Sequence, residues 1–303
     1  MKIIAIIVTY NRPEKLEKSI RSIYAGRLVP HEVVVINNNS TDSTGEVLKR
    51  LQMEFQTLTA LETRKNLGGA GGFFVGLKVA YDRGASHLWI MDDDTYCQTE
   101  SLNQLVSTYL EVMNSEKVGF LCSRVNWTNG EICEMNQPEA SWDWMRRFHE
   151  TLPIIKVNSC SFVSCFFSRE MLEEVGLPIK EFFIWFDDHE FTYRISKRYP
   201  CYAVMNSIVL HDIPQNQGAY YAAVDDDNLW KFAHGASNES WFRFWRKSPI
   251  HWLLFFAQRN RDMHKGGVSL KNRLRVNLRM LLGIFRKHQV RMVGDCHIEE
   301  LLL

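Results

Sequence analysis

Residues Ile3 to Val8 form an unbroken apolar run, mostly β-branched, and the polar residues Thr9-Tyr10-Asn11 follow at once. A strand with one wet face alternates apolar and polar side chains. A continuous run instead predicts a strand covered on both faces, as in a parallel sheet flanked by helices. Val33 to Ile36 and His87 to Met91 read as further buried strands. Between them, Leu16, Ile20, Ile23 and Tyr24 recur at helical spacing behind Asn11, the expected cap, with Pro13 in the first turn. Val47, Leu48 and Leu51 mark a second helix, and Thr99 is expected to cap a third whose inner face is Leu102, Leu105, Val106, Tyr109 and Met113. This alternation predicts an α/β fold with a mostly parallel central sheet. Further on, Val118 to Val125, Ser161 to Phe167 and Tyr202 to Leu210 read as strands, and Glu170 to Val175 as a short helix. The tryptophan-bearing stretch from Trp127 to Pro153 reads as a functional loop region.

The bulk numbers remove several function classes. With 303 residues, 46% of them hydrophobic and 23% charged, the chain can bury a sizeable core and is not disordered. A net charge of +1 gives no global field for nucleic acid, and no such partner is expected. The seven cysteines never form C-x-x-C, which argues against zinc ribbons and thioredoxin-like sites and for reduced thiols. The first apolar run is too short for a signal peptide, and no stretch approaches the roughly 18 apolar residues of a membrane span. The expectation is a cytoplasmic protein that does not cross a bilayer.

Asp92-Asp93-Asp94 directly follows the apolar run Leu88 to Met91. Ligands of open α/β sheets bind at the carboxyl ends of strands, and three adjacent acids repel one another unless a cation offsets them. Mg²⁺ or Mn²⁺ suits such oxygen ligands. Asp225-Asp226-Asp227 lacks a buried strand before it and reads as a solvated loop or helix cap. In Trp185-Phe186-Asp187-Asp188-His189-Glu190-Phe191, acids sit among aromatics, which raise a carboxylate's pKa toward that of a useful base; acids also suit a helix N-terminus. His211, closing the run Val204 to Leu210, would by itself be an ordinary strand-end histidine. Asn66-Leu67-Gly68-Gly69-Ala70-Gly71-Gly72-Phe73 could offer backbone N–H groups to phosphates or be a tight turn into a helix from Gly72 to Tyr81.

Together these pieces resemble a family 2 glycosyltransferase with the GT-A fold. The matching segments are Ile7-Val8-Thr9-Tyr10-Asn11-Arg12, Val35-Ile36-Asn37-Asn38-Asn39-Ser40-Thr41-Asp42, the glycine cluster, Asp92 to Asp94 and Asp187 to Glu190, in order over roughly residues 1–215. Phe255-Phe256-Ala257-Gln258-Arg259-Asn260 resembles an element that follows the catalytic domain in several bacterial members. The glycine cluster, the triple aspartate and Phe183 to Phe191 with His211 resemble the galactofuranosyltransferases in particular.

The resemblance implies a catalytic region at 1–215, its nucleotide-binding part about 1–125 and its acceptor-binding part about 126–215, with a helical region at 216–303. It implies a divalent metal, Mn²⁺ or Mg²⁺, on Asp92, Asp94 and His211. It implies Asp188 as base, with Asp187 and Glu190 assisting. The nucleotide and donor would be held by Thr9, Tyr10, Asn11, Arg12, Asn37, Asn38, Arg64, Asn66, Gly69, Gly71, Gly72, Asp92, Asp93 and Trp185. Many members carry Asp where this chain has Asn37, and an amide offers the base or ribose a different hydrogen-bonding pattern. The implied reaction is inverting transfer of galactofuranose from its UDP donor to a hydroxyl of a lipid-linked glycan in bacterial surface polysaccharide (O-antigen or capsule) synthesis. Rhamnosyl, galactopyranosyl and glucosyl transfer are the alternatives within the family.

Residues 241–291 hold thirteen Lys or Arg and one acid, Asp262, interleaved with Trp241, Phe242, Phe244, Trp245, Trp252, Phe255 and Phe256. Such a segment can lie on an anionic membrane, with Arg243, Arg246 and Lys247 expected at the headgroups, or it can pack on the catalytic domain or form an oligomer contact. A nucleotidyltransferase would need a glycine-rich basic loop after the first strand, where Thr9 to Pro13 stand instead. A non-catalytic sugar-nucleotide binding module would have no need of the acids at 92–94 and 187–190.

Overall fold

The computed structural model describes residues 1–147 and 152–303, so part of the 127–153 loop region lies outside the described residues. The chain opens β1 (Ile3–Thr9), α1 (Pro13–Tyr24), β2 (Glu32–Asn37), α2 (Thr44–Glu54), β3 (Leu58–Glu62), α3 (Gly68–Asp82), β4 (His87–Asp92), β5 (Thr95–Cys97) and α4 (Ser101–Met113). It continues β6 (Phe120–Trp127), β7 (Glu139–Ala140), β8 (Ile154–Ser159), β9 (Cys165–Ser168), α5 (Arg169–Val175), α6 (Asp187–Ser196) and β10 (Tyr202–His211). Three helices follow: α7 (Leu229–Phe242), α8 (Pro249–Lys265) and α9 (Leu270–Gly283). All strands join one sheet of order β3-β2-β1-β4-β9-β6-β10-β8-β7, with β5 also paired to β10.

The first run behaves as its composition demands. Ile4, Ile6 and Val8 face one core with α3, while Ile3, Ala5 and Ile7 face the other with α1 and α4. Each fully buried Ile or Leu removes enough apolar surface to contribute about 1.5–3 kcal/mol. β1, β2, β3 and β4 pair in parallel, and so do β6 and β10, while β9 runs antiparallel between β4 and β6. The carboxyl ends of β1, β2, β4 and β10 therefore share one rim of the sheet, placing Thr9, Asn37, Asp92 and His211 there.

Several local expectations change. Asn11 does not cap α1; it adopts φ +53° and its amide oxygen accepts from Thr41 N–H at 2.8 Å, tying the two loops of the rim together. α4 begins at Ser101 behind Glu100 rather than at Thr99. The glycine cluster is not a turn leading to Gly72 but the first turns of α3 itself. A Cβ on Gly72 would overlap Val8 Cγ1, and one on Gly76 would come within 2.5 Å of Ile6 Cγ2. These glycines let the helix lie close on β1. β3 was not legible because it is an edge strand with Thr59, Ala60 and Leu61 only half-buried.

The helical region is not separate from the rest. Trp241 and Phe242 share a core with Ala70, Ile179, Phe182 and Tyr193. Val293, Cys296 and Ile298 return to the main core, and Leu302 bridges Thr63 on the sheet's edge. Arg243, Arg246 and Lys247 point inward rather than to headgroups: Arg243 pairs with Glu239 at 2.9 Å, Arg246 with Glu190 at 2.7 Å, and Lys247 Nζ lies 4.0 Å from the Tyr193 ring. All seven cysteines are free thiols. No helix of the described residues is long and apolar enough to cross a membrane.

Candidate active site

At the rim, Asp92 ends β4, Asp93 and Asp94 form the turn after it, and each takes a different role. Asp93 turns inward, accepting from Thr9 Oγ1 at 2.8 Å and pairing with Arg12 at 3.1 Å. Asp94 pairs with Arg12 at 2.6 Å and with His211 Nε2 at 3.0 Å. Asp92 remains partly open to the cleft. One ligand atom from each of Asp92, Asp94 and His211 lies within 4.8 Å of the others, and no other such group of three or more occurs among the described residues. Two carboxylates and an imidazole with room left beside them suit Mn²⁺ or Mg²⁺ completed by phosphate and water oxygens. His211 is oriented for this by Asn136, whose Oδ1 lies 2.6 Å from Nδ1 and so directs Nε2 toward the acids.

The three acids differ in how far their surroundings favour the charged form. Burial, then Asp94 beside it, pushes Asp92 up to about 7, and burial pushes Asp93 up to about 6 against the pull of Arg12. Burial would raise Asp94 too, but His211, Arg12 and Lys15 hold it below the ordinary carboxylate range. Burial disfavours the imidazolium of His211, yet the Asp94 hydrogen bond prevails and raises it to about 10.

Two cavities meet here. One of about 730 Å³ is bordered by Arg12, Lys15, Gly69, the three aspartates, Trp185 and Asp187. The other, about 450 Å³, is bordered by Glu139, Ser159, His189, Tyr221, Glu239, Arg243 and Arg259. Asp92, Asp188, Trp185 and His211 line both. Asp188 sits in the first turn of α6, its pKa raised by burial to about 6, with the His189 N–H pulling the other way. Burial, then the neighbouring Asp188, holds the Asp187 carboxyl well above its usual range.

The turn before α6 is strained. Phe183, Trp185 and Phe186 have φ of +63°, +63° and +76°. It is held by Asn238 of α7, whose Nδ2 donates to the carbonyls of Phe182 (2.9 Å), Ile184 (3.1 Å) and Trp185 (2.9 Å). Gly235, one helical turn earlier, leaves room for the indole: a Cβ there would lie 2.8 Å from Trp185 Cε3. Sequence reading missed Asn238, Gly235, Glu239 and Arg259 because they lie in the helical region; the aromatic-x-x-Arg-Asn segment containing Arg259 was their one signal. Asn136 and Lys15 had none.

The other expected residues divide. Thr9, Arg12, Gly69, Asp92, Asp93, Asp187, Asp188, Trp185, Asp94 and His211 converge on the rim. Asn38 is buried and fully engaged, donating to Gly68 O at 2.9 Å and accepting from Leu67 N–H at 2.9 Å. Asn37 is buried and accepts from Ser40 N–H at 3.2 Å, Asn66 accepts from Gly68 N–H at 2.8 Å, and Tyr10 is exposed. Arg64 Nε donates to Leu302 O at 2.7 Å. Gly71 and Gly72 are spent on packing against Leu67 and Val8. Glu190 is corrected: wholly buried, it is clamped by Arg194 at 2.9 Å and Arg246 at 2.7 Å and anchors α6 instead of facing substrate.

The sequence model for glycosyl transferase family 2 matches residues 4–176. Among curated proteins, galactofuranosyltransferase GlfT1 of Mycobacterium tuberculosis (strain ATCC 25618 / H37Rv) is 37% identical over 98 residues, covering 32% of this chain and 31% of that one. Galactofuranosyltransferase GlfT1 of Mycolicibacterium smegmatis is 24% identical over 204 residues, covering 63% of this chain and 64% of that one. The chain therefore aligns with about a third of the first relative and under two thirds of the second. Among solved structures, GalNAc-T7 with UDP, GalNAc and Mn²⁺ superposes with a TM-score of 0.62 at 12% identity, covering 92% of this chain and 54% of that one.

Proposed function

Because the chain belongs to glycosyl transferase family 2 and has the GT-A fold, we propose that it transfers galactofuranose from UDP-galactofuranose to a hydroxyl of a lipid-linked glycan, with inversion. The observation that supports this most is the position of Asp188 where the two cavities meet, beside the Asp92, Asp94 and His211 cluster. The larger cavity takes the donor and the smaller one the acceptor. Asp92, Asp94 and His211 would hold a divalent metal, which would supply Lewis-acid charge to the departing diphosphate. Arg12 and Lys15 border the same cavity and orient the phosphates. Asp188 accepts the proton of the acceptor hydroxyl as its oxygen bonds to the anomeric carbon, and the bond to UDP breaks on the opposite face. One displacement inverts the centre without a covalent sugar intermediate. Asp187, whose carboxyl is raised by burial and by the neighbouring Asp188, borders the larger cavity and helps hold the donor sugar.

The donor assignment draws on the GlfT1 relatives and on the motif around Trp185. A panel of UDP-galactofuranose, UDP-galactopyranose, UDP-glucose and dTDP-rhamnose, assayed with Mn²⁺ for nucleotide release, tests it. Release is expected from UDP-galactofuranose, rising when lipid-linked glycan is added. Efficient transfer from another donor with none from UDP-galactofuranose rejects the assignment.

A further inference from the structure

Helix α9 has two apolar faces. Asn272, Val276, Met280 and Gly283 are buried, Val276 and Met280 in a core shared with Phe232 and Ala236 of α7. On the opposite side, Leu270, Leu274, Leu278, Leu281 and Leu282, with Phe285 just beyond, are 67, 60, 55, 44, 49 and 77% exposed. Spacings of three and four residues place them in one stripe along the helix. Neighbouring α8, tied to α9 by reciprocal amide bonds between Asn260 and Asn277 (2.9 and 2.7 Å), adds exposed Ile250, Leu253 and Leu254. Single exposed leucines are ordinary, but an aligned stripe of this length marks a binding surface.

Charge identifies the occupant. Lys271, Arg275 and Arg279 flank the stripe on α9, and Arg261 and Lys265 end the outer face of α8; all five are exposed. No carboxylate of the described residues pairs with any of them, and the one acid of residues 241–291, Asp262, is taken by Arg259 at 3.4 Å. A two-fold contact with a second copy would set these cations against themselves. A bilayer with anionic headgroups supplies both the apolar phase and the missing anions. We propose that the outer face of α8 and α9 docks the chain on an anionic lipid bilayer, the leucines and Phe285 entering the interface and the basic residues lying at the phosphates. Trp245, exposed with its Nε1–H given to Ile284 O at 2.8 Å, borders the same surface.

This deepens the lipid-linked acceptor reading and rests on it for its purpose, but lipid binding is measured without turnover. The full chain is sedimented with vesicles of phosphatidylglycerol and phosphatidylcholine, and with phosphatidylcholine alone. Binding is expected to the anionic vesicles, weaker by about tenfold or more on neutral ones and falling as salt screens the charges. Two triple variants, Leu274→Glu/Leu278→Glu/Phe285→Glu and Lys271→Glu/Arg275→Glu/Arg279→Glu, alter only exposed side chains. Each should weaken anionic-vesicle binding by about tenfold or more, with circular dichroism and thermal midpoint unchanged. A wild-type chain that stays in the supernatant, or variants that still sediment, overturns the proposal. So does a wild-type dimer in sedimentation velocity that the leucine variant dissolves, because a second copy then covers the stripe. Should every protein fail to turn over any nucleotide sugar while vesicle binding follows the expected pattern, the transferase reading fails and the docking surface stands.

Discussion

Asp188 must be ionised when the acceptor arrives, and burial raises its pKa to about 6. The catalytic form is the carboxylate, so the rate should be full above that value and fall as pH drops through it. Asp188→Asn keeps the shape but removes proton acceptance, and kcat should drop about 10²–10⁴-fold with donor KM little changed. If Asp187→Asn shows that signature instead, the roles of the pair are exchanged. The metal reading is tested beside it: turnover should vanish in chelator and return with Mn²⁺, and undiminished turnover in excess EDTA would sink it. Asn136 touches no proposed ligand atom other than through His211 Nδ1, 2.6 Å away. Asn136→Ala should weaken Mn²⁺ binding, read by electron paramagnetic resonance, by about 10–100-fold. The triplet and the Trp185 motif were visible because three adjacent acids after a buried strand, or acids among aromatics, are costly without a use. Asn136 was not visible because its role depends on a ring brought from β10, seventy-five positions away.

At the level of elements, the glycine cluster shows how one composition serves two physical ends. Gly69 has open space where a Cβ would be, whereas the same atom on Gly72 would overlap Val8 of β1. Gly72→Ala should therefore lower stability by about 1–3 kcal/mol through overpacking, read as a fall in thermal midpoint. Gly69→Ala should be neutral or slightly stabilising, since alanine favours the helix. Equal effects at both positions would mean that helix propensity, and not contact with β1, dominates. The buried strands were readable because coverage on both faces leaves an unbroken apolar run. Edge strand β3 and the short β5 and β7 carry no such run, and only their partners define them.

Across the whole molecule, α7 links the helical region to the chemistry. Asn238→Ala removes three hydrogen bonds to the carbonyls of the strained 182–185 turn. We expect a loss of stability of about 1–3 kcal/mol and a kcat reduced more than donor KM, with Trp185 fluorescence shifted. Unchanged turnover would show that the turn holds its shape without α7. By itself the sequence determined the α/β class, the buried strands β1, β2 and β4 with the amphipathic helices α1, α2 and α4, and the acids that end β4 and begin α6, because each follows from local periodicity or from the local cost of charge. Only the tertiary structure decided that Glu190 is an ion-pair anchor, that Arg243, Arg246 and Lys247 face inward, and that the outward basic surface lies on α8 and α9. A helix with apolar residues on two faces reads the same in sequence whichever face is buried, and the choice is made by the partner that packs against it.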